Sequence, residues 1–120
     1  MSDPPVLDRS VLASLVDAVD GDRAFVVDLV QTYLVDAQHQ LDELEAALEA
    51  GDAAATVRPA HTLKSSSATV GAMAVAELAR GAEAAGRDGT VDAIGSHAMR
   101  AAQAAAAAAL NDWIQDGESS

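Results

Sequence analysis

The sequence predicts an all-α fold: an antiparallel four-helix bundle in up-down-up-down order, with one short extra helix at the N-terminus. Apolar residues recur at spacings of three and four along most of the 120-residue chain, which is the period of a helix face. No segment alternates β-branched and polar residues as a strand does. Because 50% of the residues are hydrophobic but only 2% are aromatic, the core must come from close packing of small side chains.

Aspartates define the starts of the first three predicted helices. Asp8, Asp22 and Asp52 are their predicted N-caps, because an aspartate carboxylate accepts hydrogen bonds from free backbone N–H groups. The apolar residues of the first helix are Val11, Leu12, Leu15, Val16 and Val19. The second helix has the most regular stripe, formed by Val30, Leu34, Ala37, Leu41, Leu44 and Leu48 and extended by Phe25. Such a stripe is typical of an antiparallel bundle or coiled coil.

The second half of the chain divides at glycines and at Thr90. The third helix ends near Gly71, and Pro59 either kinks it or marks the start of its main part. The fourth helix runs from about Ala72 to Ala85, and a break is predicted from Gly86 to Gly89. Thr90 is the predicted N-cap of the last helix, whose apolar residues are Val91, Ile94, Ala98, Ala101, Ala105, Ala108, Leu110, Trp113 and Ile114.

Composition and charge exclude several classes of function. Seven basic and nineteen acidic residues give a net charge of -12, which argues against nucleic acid and anionic membranes as partners. There is no cysteine, so the chain has neither a disulfide framework nor a thiolate metal site. It shows no signal-peptide pattern and no apolar run near the roughly 20 residues that span a membrane.

The strong net charge leads us to expect a soluble monomer, and the lack of cysteine and of a signal peptide is compatible with the cytoplasm. Met1 and the polar C-terminal tail lead us to expect a stand-alone protein. The length predicts a single domain over residues 1–120. We expect an ordered core at about residues 6–115 and flexible ends at residues 1–5 and 116–120.

The stretch HTLKSSSATVGA, residues 61–72, differs from its alanine-rich surroundings. On a helix, Leu63 belongs to the core stripe, and His61 lies about 200° around the axis from it, on the solvent side. Lys64 and Ser65 share the side of His61, and Ala68 follows one turn later. The geometry predicts an exposed imidazole with a cation beside it and small side chains along the same face. A large partner could approach such a face closely.

The charge map singles out the same region. Residues 53–87 contain four basic and two acidic residues, a net of 4 − 2 = +2, whereas the remaining residues contain three basic and seventeen acidic ones, a net of 3 − 17 = -14. A region that is not acidic suits a transient phosphate or the acidic pocket of a partner. A single surface histidine is more often only solvated, which is our interpretation of His39 and His97.

The motif and its flanks resemble the histidine phosphotransfer (HPt) domains of multistep phosphorelays in two-component signal transduction. AHTLKSSSATVGA followed by AELARGAEAAGR is similar to the family's Ala-His-x-Leu-Lys-Gly run, small residues, Gly-Ala and Leu-Glu-x-x-Gly-Arg-like helix end. Upstream, LDRSVLASLVDAVDGDRAFVVDLVQTYL and LDELEAALEAGDAAATVRPAHTLK resemble the helices that precede the phosphorylated one. The resemblance covers roughly residues 6–115.

The resemblance implies a role for each residue of this surface. His61 would accept the phosphoryl group, Lys64 would stabilise it, and Glu83 would hydrogen-bond and orient the imidazole. The partner-docking face would consist of Arg58, Ser65, Ala68 and Arg87. The chain would hold no cofactor or metal of its own, because Mg²⁺ would be supplied by the receiver partner.

Two positions depart from the family pattern. Ser65 stands where the family has glycine after the lysine, and Pro59 lies two residues before the histidine, where the family has a continuous helix. Neither position removes a chemical group that phosphotransfer requires. Both bear on partner preference and on local geometry.

The resemblance implies a phosphocarrier and not an autonomous enzyme. His61 would receive a phosphoryl group from a receiver-domain aspartate and pass it to the aspartate of another response regulator, with a hybrid sensor histidine kinase as a further expected partner. The alternative is a non-phosphorylated HPt-like adaptor that only binds receivers.

Two enzyme classes fit the motif less well. The dimerising domain of a sensor kinase typically has an acidic residue, Arg and Pro after its histidine, and HTLKS lacks them. A metal hydrolase requires a motif such as HExxH, which does not occur in the chain.

Overall fold

The structure, a computed structural model, describes residues 3–118, which form five α-helices and one 3₁₀ turn and no strand. The helices are α1 (Arg9–Ala18), α2 (Arg23–Glu49), α3 (Ala53–Val70), α4 (Met73–Asp88) and α5 (Ser96–Glu118), and the 3₁₀ turn is Val91–Ala93. The predicted all-α class is confirmed. The up-down-up-down order of four antiparallel helices stays a prediction.

The three predicted aspartate N-caps are confirmed. Asp8 accepts a hydrogen bond from the backbone N–H of Ser10, Asp22 from Phe25 and Asp52 from Ala55, at N···O distances of 3.0, 3.1 and 3.1 Å respectively. Each carboxylate satisfies one of the N–H groups that the first helical turn leaves without a backbone partner. The helix starts are therefore encoded locally.

Helix α3 runs through Pro59 without interruption, so the prediction that its main part begins at Pro59 is wrong. It ends at Gly71, whose φ of 85° is left-handed and strongly favours glycine. A Cβ atom on Gly71 would also lie 2.6 Å from the Asp8 carbonyl oxygen. That carbonyl belongs to the segment before α1, whose Asp8 N–H donates to the Gly71 carbonyl at 2.8 Å.

Side chains from all five helices form one core, in which α3 packs most extensively against α4 and α2. The stripe of α2 differs from the prediction at its first turn. Phe25 is 54% exposed and Val26 is buried in its place, because Val26 and not Phe25 lies one turn before the buried Val30. Two further predicted members, Leu34 and Leu48, are only partly buried.

The predicted stripe of the last helix is wrong at its four alanines and correct at its C-terminal end. Thr90 precedes only the 3₁₀ turn, and α5 starts at Ser96. The alanines predicted to be buried, at positions 98, 101, 105 and 108, are exposed. The buried face of α5 consists of Met99, Gln103, Ala106, Leu110, Trp113 and Ile114. The predicted period starts at Val91 and runs through residues that are not α-helical, which displaces the four alanines around the axis. The predicted residues Leu110, Trp113 and Ile114 are buried, as expected.

Helix α4 continues three residues beyond its predicted end at Ala85 and stops at Asp88, with Gly89 in the left-handed conformation at φ 77°. Gly86 is not a breaker. It is buried inside the helix, where the absence of a side chain lets α4 approach Thr56 of α3. The extra turn carries Arg87 into the helix, four residues from Glu83.

Both ends of the described chain contact or continue the helices, and the predicted flexibility of the ends stays a prediction. The Pro5 carbonyl accepts a hydrogen bond from the Ala74 N–H at 2.9 Å, and α5 extends beyond residue 115 to Glu118. Residues 1, 2, 119 and 120 of the predicted flexible ends lie outside the described residues. No helix in the described part of the chain is long and apolar enough to cross a membrane.

The contact between α3 and α4 predicts opposite effects for two glycine substitutions in α4. In Gly86→Ala the new Cβ would lie 2.3 Å from Thr56 Oγ1 and 3.0 Å from Val57 Cγ2. We expect this overpacking to lower the free energy of unfolding by about 1–3 kcal/mol. Gly81 has no atom within 4 Å of an added Cβ. Gly81→Ala should therefore raise the free energy by about 0.5–1 kcal/mol through helix propensity.

Urea unfolding followed by circular dichroism measures both changes. Equal stabilisation by the two alanines would contradict the close approach of α3 and α4 at Gly86.

Candidate functional site

His61 lies on the solvent side of α3, as the helical period predicts. Its side chain is 57% exposed, whereas Leu63, two residues later, is fully buried in the core. Lys64 follows His61 by three residues on the same helix, so both side chains lie along one edge of α3. This edge faces α4.

Helix α4 supplies a carboxylate to this edge. The Glu83 side chain is only 8% exposed, and its Oε1 lies 2.6 Å from Lys64 Nζ. Its Oε2 lies 3.1 Å from His61 Nδ1 and 2.7 Å from the Arg87 guanidinium. A largely buried carboxylate is stable only when such partners replace its lost water. Glu83 therefore connects the two helices at the histidine.

Two helical spacings and one close helix contact produce this arrangement. His61 and Lys64 are three residues apart on α3, and Glu83 and Arg87 are four apart on α4, so each pair shares a helix edge. Small residues are buried on both helices, which are Ala60 on α3 and Ala79, Ala82 and Gly86 on α4, and a Cβ atom on Gly86 would lie only 3.2 Å from the Ala53 carbonyl oxygen of α3. Because the backbones approach closely there, the charged side chains reach across the junction.

The surrounding cations keep Glu83 ionised. The hydrogen bond from Lys64 and then that from Arg87 lower the pKa of Glu83 from 4.5 to about 2, against the opposing effect of burial. The hydrogen bond with His61 contributes in the same direction. Near neutral pH, Glu83 is therefore a carboxylate that can only accept hydrogen bonds.

An ionised Glu83 determines the tautomer of His61. Because the carboxylate has no proton to donate, the hydrogen bond to Oε2 requires a proton on His61 Nδ1. In the neutral imidazole, Nε2 then has no proton and carries the free lone pair. The site thus consists of an exposed imidazole with a nucleophilic Nε2, held by a carboxylate that also binds two cations.

Comparisons with known proteins identify the family of the chain. A family model described as "Hpt domain" matches residues 28–116. The chain belongs to the Hpt domain family. A solved structure, histidine-containing phosphotransfer protein B from Pseudomonas aeruginosa, is similar over 93% of this chain and 96% of its own, with a TM-score of 0.82 and 30% identity. No curated protein sequence matches the chain significantly. Membership assigns the chain a phosphotransfer role in a phosphorelay.

The docking residues expected from the family resemblance separate into two groups in this Hpt domain. Arg58, Ser65 and Ala68 are exposed on α3, along the same helix as His61. Arg87 is also exposed, but its guanidinium contacts Glu83. Arg87 is therefore bound to the carboxylate next to the imidazole. The three residues of α3 lie on the exposed surface of the helix that carries His61.

A buried polar cluster of the Hpt domain was not predicted from the sequence. The Tyr33 hydroxyl donates to Gln103 Oε1 at 2.8 Å and accepts from Ser67 Oγ at 2.8 Å. Burial raises the pKa of Tyr33, which therefore remains a neutral donor. Ser67 lies beside the predicted core stripe of α3, and the sole tyrosine of the chain lies on the buried side of α2. The sequence signal that could have predicted this cluster is the presence of two hydroxyl groups, those of Tyr33 and Ser67, on helix faces that point into the core.

Within residues 3–118, no group of three or more His, Asp or Glu side chains is arranged to bind a metal ion. Glu83, the carboxylate that contacts His61, already has Lys64 and Arg87 as partners.

The lowered pKa of Glu83 predicts how stability depends on pH. A carboxylate whose pKa is lower in the folded state stabilises the fold above its ordinary pKa of 4.5 and loses that effect as the pH falls through about 2. Glu83→Gln cannot titrate. The free energy of unfolding of the wild type should therefore exceed that of Glu83→Gln most near neutral pH, and the difference should shrink between pH 4.5 and about 2.

Urea titrations at successive pH values measure this difference. The control is Glu77→Gln, because Glu77 is exposed and its pair with Arg80 is surrounded by water. Its substitution should produce a much smaller pH-dependent change. A pH-independent difference between the wild type and Glu83→Gln would contradict an ionised Glu83.

Proposed function

We propose that His61 accepts a phosphoryl group from the aspartyl phosphate of a receiver domain and passes it to the aspartate of another response regulator. The observation that carries this proposal is the exposed imidazole whose Nδ1 lies 3.1 Å from the largely buried Glu83 carboxylate. The carrier acts as a monomer, and a hybrid sensor histidine kinase is one source of the donor receiver.

The transfer step uses the tautomer that Glu83 selects. The Nε2 lone pair of His61 forms the bond to phosphorus while the acyl P–O bond of the aspartyl phosphate breaks, and the aspartate carboxylate leaves with that electron pair. The imidazole ring becomes positively charged and keeps its Nδ1 proton. The Glu83 carboxylate, which accepts from Nδ1–H, compensates that charge. Onward transfer is the reverse, with the second receiver's carboxylate attacking phosphorus and the electron pair returning to Nε2.

The receiver supplies what the carrier lacks. Phosphoryl transfer depends on positioning and on stabilising the charge of the phosphoryl oxygens, for which Mg²⁺ is commonly used. We propose that the receiver brings this Mg²⁺ along with the reactive aspartate. Lys64, one turn from His61, provides a cation from the carrier's side. The protein is thus a phosphocarrier whose chemistry is completed by its partner.

Docking uses the exposed face of α3. Ser65 and Ala68 are small, so the partner's backbone can come close to the imidazole, and Arg58 adds a positive charge one turn before it. Residues 53–87 carry the net charge of +2 in a chain whose total is -12. That distribution suits the acidic pocket of a receiver and orients its approach.

The first test concerns the acceptor. With a phosphorylated receiver and Mg²⁺, the wild type should gain acid-labile, base-stable phosphate, and His61→Gln should gain none, because glutamine has no nucleophilic nitrogen. His39→Gln and His97→Gln are matched controls, since both histidines are exposed. They should retain full transfer. Undiminished transfer in His61→Gln, or no labelling by any of several receivers, would contradict the carrier function and favour the adaptor.

The second test concerns the docking face. Ala68→Trp puts a large side chain on the exposed face of α3, whereas Ala104→Trp puts the same side chain on an exposed position of α5. We expect Ala68→Trp to raise the KM for the phosphorylated receiver about tenfold, the factor that a loss of about 1.4 kcal/mol in binding produces. Ala104→Trp should leave KM unchanged. Equal effects of the two tryptophans on transfer kinetics would show that docking does not use this face.

A further inference from the structure

Glu83 has more cations than its charge requires. Lys64 and Arg87 each contact one of its oxygens, so the cluster contains two positive charges and one negative charge. One cation is enough to pair with the carboxylate. The second cation can be released to a new anion.

A phosphoryl group on His61 is such an anion. The resemblance assigns Lys64 to it, yet Lys64 Nζ lies 2.6 Å from Glu83 Oε1 in the unphosphorylated protein. An ammonium group on the phosphoryl oxygens has to give up this close contact. Its departure removes one partner from a carboxylate that is only 8% exposed, which is unfavourable unless another cation remains.

We propose that Arg87 is a positioning residue that holds Glu83 in place when Lys64 moves from Glu83 to the phosphoryl group on His61. This inference rests on the proposed function. It assigns Arg87, expected from the family resemblance to belong to the docking face, a role inside the site.

The contacts determine which cation moves. Arg87 is on the same helix as Glu83, four residues later, and binds Oε2, the oxygen that also accepts from His61 Nδ1. Lys64 binds the second oxygen, Oε1, and lies on the helix of His61. It can leave without disturbing the bonds to Oε2. Its ammonium group is a compact charge on a flexible stem, whereas a guanidinium is a rigid planar donor.

Without Arg87, Lys64 would be the only cation on Glu83 among the contacts described above. The carboxylate would then compete with the phosphoryl group for the same ammonium. Loss of Arg87 should therefore weaken the ion pair between Lys64 and the phosphoryl group. The phosphoryl group would lose its cation, as it does when Lys64 itself is removed, although Arg87 need not touch that group.

The lifetime of the phosphohistidine measures this competition without any receiver. In hydrolysis, the oxygen of water bonds to phosphorus while the P–Nε2 bond breaks, the electron pair returns to Nε2 and a proton of the water passes to solvent. The transition state is loose and metaphosphate-like, so the transferring group carries less negative charge than in the phosphohistidine. In hydrolysis no receiver Mg²⁺ or positioned nucleophile acts together with Lys64, and we expect its ammonium group to pair more strongly with the phosphohistidine than with this transition state. Removing that cation should shorten the lifetime.

Phosphoramidate prepares the phosphohistidine chemically. Its P–N bond breaks as Nε2 attacks phosphorus, and ammonia leaves with the electron pair. The experiment is done in a His39→Gln, His97→Gln background, so that His61 is the only histidine. Phosphorus NMR then follows the loss of phosphohistidine in Arg87→Gln, Lys64→Ala and the double variant, with circular dichroism as the check on folding.

We expect Arg87→Gln to shorten the lifetime about two- to fivefold, which corresponds to about 0.4–1 kcal/mol for a partly exposed ion pair. Lys64→Ala should shorten it at least as much. In the Lys64→Ala background, Arg87→Gln should have no further effect, because no ammonium remains to be retained by Glu83. Arg87→Lys should restore most of the lifetime.

Arg80→Gln is the matched control, since Arg80 is also on α4 and exposed but pairs with Glu77. It removes the same charge from the same helix and should leave the lifetime unchanged. An unchanged lifetime in Arg87→Gln, or equal shortening with and without Lys64, would overturn the proposal. Failure of every receiver to phosphorylate His61 would instead contradict the proposed function, and the phosphoramidate experiment separates the two outcomes.

Discussion

The Glu83 carboxylate is the interaction on which the candidate site depends. It is a charged group that the fold buries, and it contacts the imidazole and Lys64 from α3 and Arg87 from its own helix. A charge in such a position must be paired. The same pairing that stabilises the carboxylate fixes the tautomer of His61, so the stability and the chemistry of this surface come from one group.

The core provides the geometry for that interaction. The absence of a side chain at Gly86 lets the backbones of α3 and α4 approach closely, and lysine and glutamate meet across the same pair of helices. Larger side chains would separate the helices and lengthen every contact that crosses from α3 to Glu83. A core with few aromatic residues is therefore compatible with the short distances between the side chains of α3 and Glu83.

The region around His61 differs in charge from the rest of the molecule. Most of the protein is strongly acidic, which favours solubility and disfavours association with acidic surfaces. The histidine lies in the region with a small positive balance, where one carboxylate is already neutralised by two cations. The cluster beside the histidine therefore has a surplus of positive charge, which is compatible with the proposed transfer of a phosphoryl group to His61.

The sequence by itself determined the helical class, the three aspartate caps and the outward position of His61, because capping and the helix period depend on neighbouring residues. It did not determine the buried face of the first half of α5, since the 3₁₀ turn before Ser96 displaces the alanine positions. Nor could it show that Lys64 and Arg87 both bind Glu83, or that Tyr33 meets Ser67 and Gln103. Those contacts join different helices or need α4 to continue past Ala85, and only the packing of the helices against one another decides them.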